Sequence, residues 1–420
     1  MNPTTFADRR AFESLDRTDL VDRQLIRLNQ MLEIAQSGKG VNAERLANVR
    51  LPLDWQQFQQ LPFTFKSDLI TNDDTWAANR TFELDRYVRF HRTSGTHGKP
   101  LVVVDTPEDW QWWIDTWQFV LDAAEVTDKD RAFMAFSFGP FIGFWSANDA
   151  LVRRGALVIP GGGLDTQTRL DLIFSSSATV VLCTPTYAMR MAEVAAEHQM
   201  DLKTSQVQKI IVAGEPGGSI PEVRDRIEQA WGATVIDHSG ATEIGPWGYM
   251  DPQRRGLRIV ESEFVAEFVS VDRNAPAAEG ELSELILTSL GRHGCPVIRY
   301  RTGDLVRPVW SNLEDNHFVL LEGGVIGRAD DMVIIRGVNV FPSSLERIIR
   351  QFDEVTEFRI VAFRDRQMDA LRIEVECADE ATCATVQSAL KTGLGLRMDV
   401  ARVDSLPRFE AKGRRFVDQR

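Results

Sequence analysis

Short apolar runs alternate with segments of helical periodicity between residues 131 and 237, and this alternation restricts the fold more than any other feature of the chain. The apolar runs fall at residues 132–138, 156–160, 179–184, 210–214 and 234–237, and the helical segments at 146–153, 168–174, 185–198 and 221–231. Strands separated by helix-length connections cannot close as hairpins. They pair in parallel, and the crossover helices then cover both faces of the sheet. The pattern predicts an α/β fold with mainly parallel sheets flanked by helices, in which small molecules collect at the carboxyl ends of the strands.

The pattern changes twice further on. Residues 256–325 alternate apolar and polar side chains between turns, at 257–267 and 281–288, and read as a β-rich subdomain. After Gly327 a strand at 332–335, a helix at 343–352, strands at 357–363 and 370–376, a helix at 380–394 and a strand at 399–403 make a small α+β unit. Ahead of the sheet, residues 10–50 read as helical, with Leu20, Leu25, Leu28 and Leu32 on one side. Thr106 followed by Pro107 marks another helix start, with threonine as N-cap and proline at the first position, where its missing N–H is harmless. Trp110, Trp113, Trp117 and Leu121 recur there at helical spacing and are assigned to the core. At 420 residues the chain is too long for one core, so two or more domains are expected.

A formal charge of −13 argues against a broad nucleic-acid surface, and an anionic small ligand would require Lys and Arg gathered locally. The four cysteines, Cys183, Cys295, Cys377 and Cys383, show no CxxC spacing and read as free thiols of a reducing compartment. The amino-terminal residues carry no apolar core behind their charges, unlike a secretory signal. The longest uncharged run, 132–147, is too short for a membrane span and is broken by Gly139, Pro140 and Gly143. A cytoplasmic protein without membrane contact is the expectation.

Strand-like runs at 86–91 and 101–104 flank Arg92-Thr93-Ser94-Gly95-Thr96-His97-Gly98-Lys99-Pro100. Such a segment suits phosphate: glycines let the main chain approach, N–H groups and hydroxyls donate to phosphate oxygens, and the lysine adds a point charge. Its spacing is not that of a GxxxxGK[ST] loop, and an ordinary hairpin turn is the alternative. Five further clusters stand at strand ends or junctions. Gly214-Glu215-Pro216 follows the run 210–212, and Ser239 through Thr242 and Glu243 follow the run 234–236. Tyr300-Arg301-Thr302-Gly303-Asp304 offers a carboxylate, Arg328 and Asp330 lie at the start of the small unit, and residues 407–415 place a cationic loop near the carboxyl terminus.

In order and spacing these motifs resemble the adenylate-forming superfamily of acyl-CoA ligases, luciferases and peptide-synthetase adenylation domains. Within it the chain is most similar to the phenylacetate-CoA ligase branch, through Leu61-Pro62-Phe63-Thr64-Phe65-Lys66-Ser67-Asp68-Leu69, Cys183-Thr184-Pro185-Thr186-Tyr187-Ala188 and Gly337-Val338-Asn339-Val340-Phe341-Pro342-Ser343. The resemblance spans residues 55–420. It implies a large multi-subdomain amino-terminal domain at 1–329 and a small mobile α+β domain at 330–420. It also implies a two-step reaction: a carboxylate attacks the α-phosphorus of ATP to give an acyl adenylate and pyrophosphate, and the thiol of coenzyme A then displaces AMP.

The roles carried over follow residue by residue. Thr93, Ser94, Gly95, Thr96, Gly98 and Lys99 would hold the β- and γ-phosphates, and Thr242 would donate to the α-phosphate. Glu243 matches the Mg²⁺ ligand, acting through the phosphates, as a hard cation requires. Asp304 matches the ribose-binding carboxylate, Arg328 an arginine that reaches the nucleotide, and Gly214, Glu215, Pro216 and Ser239 the border of adenine. Lys412 matches the lysine that neutralises charge during adenylation. Asp330 matches the hinge that swings Lys412 out and opens a thiol channel near Gly337.

The chain departs from the pattern at Ser239, where the family commonly has a tyrosine against adenine, so Trp247 and Tyr249 are candidates to replace that ring. His97 replaces a threonine and Ala411 a glycine. Residues 250–261 contain neither Cys nor His, so the structural zinc of several relatives is not expected. Phe136, Phe138, Phe141, Phe144 and Trp145, among small glycines, match the acyl-pocket region and suit a flat aryl or arylacetic acid, or else belong to the core. A carrier-protein thiol or an amine is the alternative acceptor, a non-catalytic nucleotide-binding protein the third reading, and similar ligases are frequently homodimers.

Overall fold

The computed structural model describes residues 5–420 other than 71–75, 94–99, 137–138, 312–314, 336–337, 366–367, 397 and 410–414. Helices α1 (Phe6–Glu13), α2 (Arg17–Ser37), α3 (Gly40–Leu46) and α4 (Trp55–Gln59) lead the chain. Thr5, Asp16 and Asp54 start three of them by accepting a main-chain N–H of the first turn. Leu20, Leu28 and Leu32 of α2 are fully buried and Leu25 packs beside them, as the spacing predicts. Strands β1 (Arg89–Arg92) and β2 (Val102–Asp105) pair antiparallel around the glycine-rich segment. Helix α5 (Pro107–Ala123) opens on a capping box between Thr106 and Asp109, and Trp110, Trp113, Trp117 and Leu121 are all buried.

The alternating region folds as β3 (Arg131–Met134), α6 (Ile142–Arg154), β4 (Leu157–Pro160), α7 (Thr166–Ser175), β5 (Val180–Cys183), α8 (Pro185–Glu197), β6 (Lys209–Ala213), α9 (Pro221–Trp231) and β7 (Thr234–Ala241). Its strands run parallel in the order β4-β3-β5-β6-β7. The same sheet then turns antiparallel through β8 (Gly245–Met250) and β9 (Gly256–Ile259). The β-rich part comprises β10 (Phe264–Ser270), β11 (Ser283–Ser289) and β12 (Tyr300–Val306). Strands β13 (Pro308–Val309) and β14 (Leu320–Glu322) return to the edge at β9 and complete a nine-stranded mixed sheet, and β15 (Gly327–Arg328) closes on β12.

Residues 257–267, one β stretch by pattern, serve two sheets. Between them the chain turns over two buried carboxylates. Glu261 accepts from Arg17 at 2.7 Å, and Glu263 accepts from both Arg27 nitrogens and from the Trp112 indole, each at 2.7 Å.

The carboxyl-terminal part has its own core. Strands β16 (Val333–Ile335) and β17 (Val338–Val340) form a ribbon, followed by α10 (Pro342–Ile349), β18 (Glu357–Asp365), β19 (Met368–Glu376), α11 (Glu380–Leu394), β20 (Asp399–Val403) and β21 (Phe416–Asp418). The sheet order is β20-β19-β18-β21, with only the central pair antiparallel. Leu345, Ile349, Ile373, Val386 and Leu390 are fully buried inside it. No helix among the described residues is long and apolar enough to cross a membrane.

Candidate active site

The glycine-rich segment is closed at its base by Thr93, whose N–H donates to the Leu101 carbonyl and whose Oγ1 accepts the Leu101 N–H, both at 2.9 Å. Ser94, Gly95, Thr96, Gly98 and Lys99 lie outside the described residues. Beneath the pair of strands, Asp105 at the end of β2 accepts Arg292 Nε at 2.7 Å, and Arg292 Nη1 donates to the Thr242 carbonyl at 2.9 Å. Both ion-pair side chains are fully buried, and the Trp113 ring lies 5.3 Å from the guanidinium carbon. One dehydrated ion pair therefore fixes the end of β2 relative to Thr242 and Glu243. Neighbouring Asp109 is pushed up to about 6, by burial first and then by the charge of Asp105.

Sequence reasoning missed Asp105 and Arg292. The available signal was an arginine bracketed by Gly291 and Gly294, each packed too closely for a side chain. A Cβ at Gly291 would stand 2.2 Å from the Trp112 ring, and one at Gly294 2.2 Å from Asp109 Oδ2.

Two candidate segments lie at or near the carboxyl ends of β6 and β7. Gly214 leaves β6 with φ +94°, a conformation that favours glycine, and both Gly214 and Pro216 are exposed. Glu215 turns back and accepts the Thr186 N–H in the first turn of α8 at 2.8 Å. Strand β7 runs on through Ala241, so Ser239 sits in a strand rather than after one. It stands opposite Gly248, while His238 stands opposite Tyr249.

That register overturns the expectation for Trp247 and Tyr249. Side chains alternate between faces along a strand. Trp247 and Tyr249 therefore share the face of His238, which packs on Trp117 with centroids 4.3 Å apart, and Ser239 and Gly248 share the other. Both aromatic rings are buried in the main core, and the Tyr249 hydroxyl donates to Glu13 at 2.5 Å. Neither ring reaches the face of Ser239.

A third group gathers at the start of the small unit. The buried Tyr300 hydroxyl donates to Glu243 Oε1 at 2.8 Å. Burial, and next the Glu243 charge, hold that phenol well above its ordinary range, so it stays a donor. Asp304 and Arg328 face each other across β12 and β15, with Asp304 Oδ1 accepting Arg328 Nη1 at 3.0 Å. Arg328 Nε also donates to Asp330 at 3.0 Å. Gly303 has φ +76°, and a Cβ there would lie 2.8 Å from Arg328 Nη2.

Burial pushes the Asp304 carboxyl up to about 6, against the pull of Arg328 and with the Glu243 charge adding to the rise. Burial works against the Arg328 charge, but Asp304 and then Asp330 hold it well above its ordinary range. Glu243, Tyr300, Asp304 and Arg328 thus share one electrostatic neighbourhood. Asp330 is exposed, in the turn between β15 and β16.

Glu243 fits a Mg²⁺ ion. Tyr300 occupies one carboxylate oxygen, and the described residues give no hydrogen bond to the other. A Mg²⁺ that takes most of its ligands from phosphate and water needs one such oxygen. Beyond Glu243, the fully buried Asp251 is held by Arg255 at 2.9 Å and Arg258 at 2.8 Å.

Arg415, the last residue of the cationic loop, donates to Thr186 Oγ1 at 3.0 Å and to Glu357 at 2.7 Å, and it senses the Glu215 charge. The small unit is thereby docked on the same first turn of α8 that Glu215 holds. Lys412 and Gly337 lie outside the described residues. In the aromatic stretch Ile142 and Phe144 are buried, Phe141 is exposed, Trp145 Nε1 donates to the Gly139 carbonyl at 2.8 Å, and a Cβ at Gly143 would meet nothing.

The family described as AMP-binding enzyme matches residues 45–263, and that described as AMP-binding enzyme C-terminal domain matches residues 337–420. The chain belongs to the AMP-binding enzyme family. This member is 33% identical to the phenylacetate-coenzyme A ligase of Escherichia coli K12, over 88% of its own length and 87% of that protein's. It is 28% identical to the phenylacetate-coenzyme A ligase of Pseudomonas putida, over 100% and 99% of the two lengths. Its fold superposes on a solved 2-hydroxyisobutyryl-CoA ligase in the postadenylation state with a TM-score of 0.90, at 24% identity, covering 97% and 91% of the chains. The same ligase in its thioesterification state gives a TM-score of 0.72 over equal coverage.

Proposed function

We propose that the protein is an ATP-dependent ligase that converts a small carboxylic acid into its acyl adenylate and then passes the acyl group to coenzyme A. The observation that carries this reading is the cluster of Glu243, Tyr300, Asp304 and Arg328, with Glu243 just past the end of β7, the strand that carries Ser239. Around it each step has a residue of suitable chemistry.

Thr93, Ser94, Gly95, Thr96, Gly98 and Lys99 hold the β- and γ-phosphates, with Thr242 donating to the α-phosphate. A Mg²⁺ ion held by Glu243 would neutralise phosphate charge. The ionised Asp304 accepts both ribose hydroxyls, and Arg328 moves between Asp304, Asp330 and the nucleotide. Gly214, Glu215 and Pro216 border adenine, and Ser239 leaves room on its face of the strand.

The carboxylate oxygen of the acid attacks the α-phosphorus while the bond to pyrophosphate breaks, and Lys412 offsets the negative charge that accumulates between them. Arg415, three residues past Lys412 in the sequence, docks on Thr186, and this supports the assignment of the adenylation role to this part of the chain. In the second step the thiol sulfur attacks the acyl carbon, AMP leaves with the bonding electrons, and the thiol proton passes to solvent. The chain divides into a body at 1–329 and a cap at 330–420, which turns about Asp330 so that Lys412 withdraws and the channel near Gly337 opens.

Exposed Phe141 and the open space at Gly143, backed by Phe144 and Trp145, favour an aryl or arylacetic acid. Pyrophosphate release with a panel of aryl acids, with and without coenzyme A, tests the reading. Acid-dependent release together with consumption of coenzyme A is expected. Release without that consumption would move the acceptor to a carrier protein or an amine, and no release with any acid would overturn the assignment. Lys412→Ala is expected to slow adenylation by at least about 10²-fold while sparing thioester formation from a supplied acyl adenylate. Equal loss of both steps would break the two-arrangement scheme.

A further inference from the structure

The small unit holds two of the four cysteines and sets them against each other. Cys377 directly follows β19, and Cys383 lies in the first turn of α11. Between them Asp379 caps the helix, accepting the Thr382 N–H at 2.8 Å and the Thr382 hydroxyl at 2.9 Å. The turn made by this cap brings the start of α11 back to the end of β19, and the two sulfurs stand 3.8 Å apart. Cys377 Sγ also donates to the Asp379 carbonyl at 3.2 Å. Cys183 and Cys295 are buried elsewhere, in separate apolar clusters of the large body.

Cys377 and Cys383 are 8% and 4% exposed, yet Ala378, Asp379 and Glu380, in the turn that joins them, are all exposed. The pair thus lies one layer beneath solvent. Burial, and next the hydrogen bond with Cys377, push the Cys383 thiol well up, so it rests protonated. A bond between the two would close a loop of residues 377–383 only. So short a loop gains little stability from chain entropy, which suits a reversible bond better than a permanent staple.

The same end of β19 carries the chain that leads into the cationic loop. Glu376 accepts Arg408 Nη1 at 2.8 Å, Arg408 Nη2 at 2.6 Å and the Leu406 N–H at 2.7 Å, and the Cys377 carbonyl accepts Arg402 Nε at 3.0 Å. Residues 402–408 therefore hang from Glu376 and Cys377.

We propose that Cys377 and Cys383 are a modification site, a dithiol that a low-molecular-weight disulfide of the glutathione type converts reversibly into a disulfide bond. Cys377, the more exposed of the two, attacks as thiolate one sulfur of the reagent, whose other sulfur leaves with the bonding electrons. Cys383 then gives up its proton and attacks Cys377 Sγ, and the second reagent thiolate departs. Two protein sulfurs are oxidised, two reagent sulfurs are reduced, and both protons pass to the departing thiolates. The sulfurs close from 3.8 Å to about 2 Å, which shifts the end of β19 from which residues 402–408 hang.

The test is incubation of the reduced full chain with oxidised glutathione at neutral pH, then alkylation in denaturant, digestion and mass spectrometry. The expected product joins Cys377 to Cys383 within one molecule, leaves Cys183 and Cys295 alkylated, and returns to the dithiol with dithiothreitol. Cys383→Ala is expected instead to keep one glutathione on Cys377, because the resolving thiol is gone. Hydrogen exchange across residues 402–408 is expected to differ severalfold between the oxidised and reduced wild-type forms. Four alkylated thiols after oxidation, or a bond from Cys377 or Cys383 to any other cysteine, would overturn the site. A Cys383→Ala chain without the adduct would overturn the order of attack, and identical exchange in the two forms would overturn the coupling to residues 402–408. The wild-type mapping needs no substitution, so it decides the site even where Cys383→Ala does not fold. It needs no nucleotide or acid either, so its failure leaves the proposed reaction standing.

Discussion

Two arginine–aspartate ties stand beside the candidate site, and they are built oppositely. Arg292 and Asp105 are both 0% exposed, whereas Arg328 is 39% exposed and divides itself between Asp304 and Asp330, at 16% and 51% exposure. A fully dehydrated pair cannot exchange partners, because releasing either charge leaves the other stranded. A half-exposed guanidinium with two carboxylates in reach can. The first tie suits a fixed floor between β2 and Thr242, the second a joint that must let go when a ligand arrives or a neighbouring unit turns.

The sharpest way to break this contrast is Arg292→Met. It leaves Asp105 buried and unpaired, so unfolding free energy is expected to fall by about 3–5 kcal/mol. Denaturant unfolding measures it, and a loss below about 1 kcal/mol would show that the floor is not fixed this way.

The next effect is pH dependence at Asp304. Its carboxyl is raised to about 6 in the folded chain, so the native state holds this proton more tightly than the unfolded one. Its contribution to stability is full at low pH and is lost as pH rises through about 6. Nucleotide affinity runs the other way, since only the ionised carboxylate accepts both ribose hydroxyls. KM for ATP is expected to rise as pH falls below about 6, approaching tenfold per unit, and Asp304→Asn should flatten that profile. The smallest effect is Arg328→Met, expected to change unfolding free energy by less than about 1 kcal/mol while raising KM for ATP severalfold. A stability loss matching that of Arg292→Met would erase the distinction between the two ties.

Where local chemistry was complete, element boundaries were legible to the residue. The helix at 221–231 has proline in its first turn and Gly232 in the left-handed conformation at its end. The helix at 380–394 has Asp379 as N-cap and Gly395 at its end. By contrast β21 has three residues, too few to display a period, and it is a strand because β18 lies alongside it. The split of residues 257–267 between two sheets was not readable either, since it depends on Arg17, Arg27 and Trp112 reaching Glu261 and Glu263 from far away in the chain. The same distance hid Arg292 from the list of candidate site residues.

The sequence by itself determined the alternating strands and helices, the capped helix starts, the apolar stripe of tryptophans and the order of motifs that marks the family. Each of these is a local property, set by periodicities of two and about 3.6 residues and by backbone preferences of glycine and proline. Only the tertiary structure decided which face of β7 Ser239 shares, that Trp247 and Tyr249 turn away from it, and which of two similar ion pairs is dry. Those outcomes depend on register and on the water excluded by packing, and both are settled between residues that the chain keeps far apart.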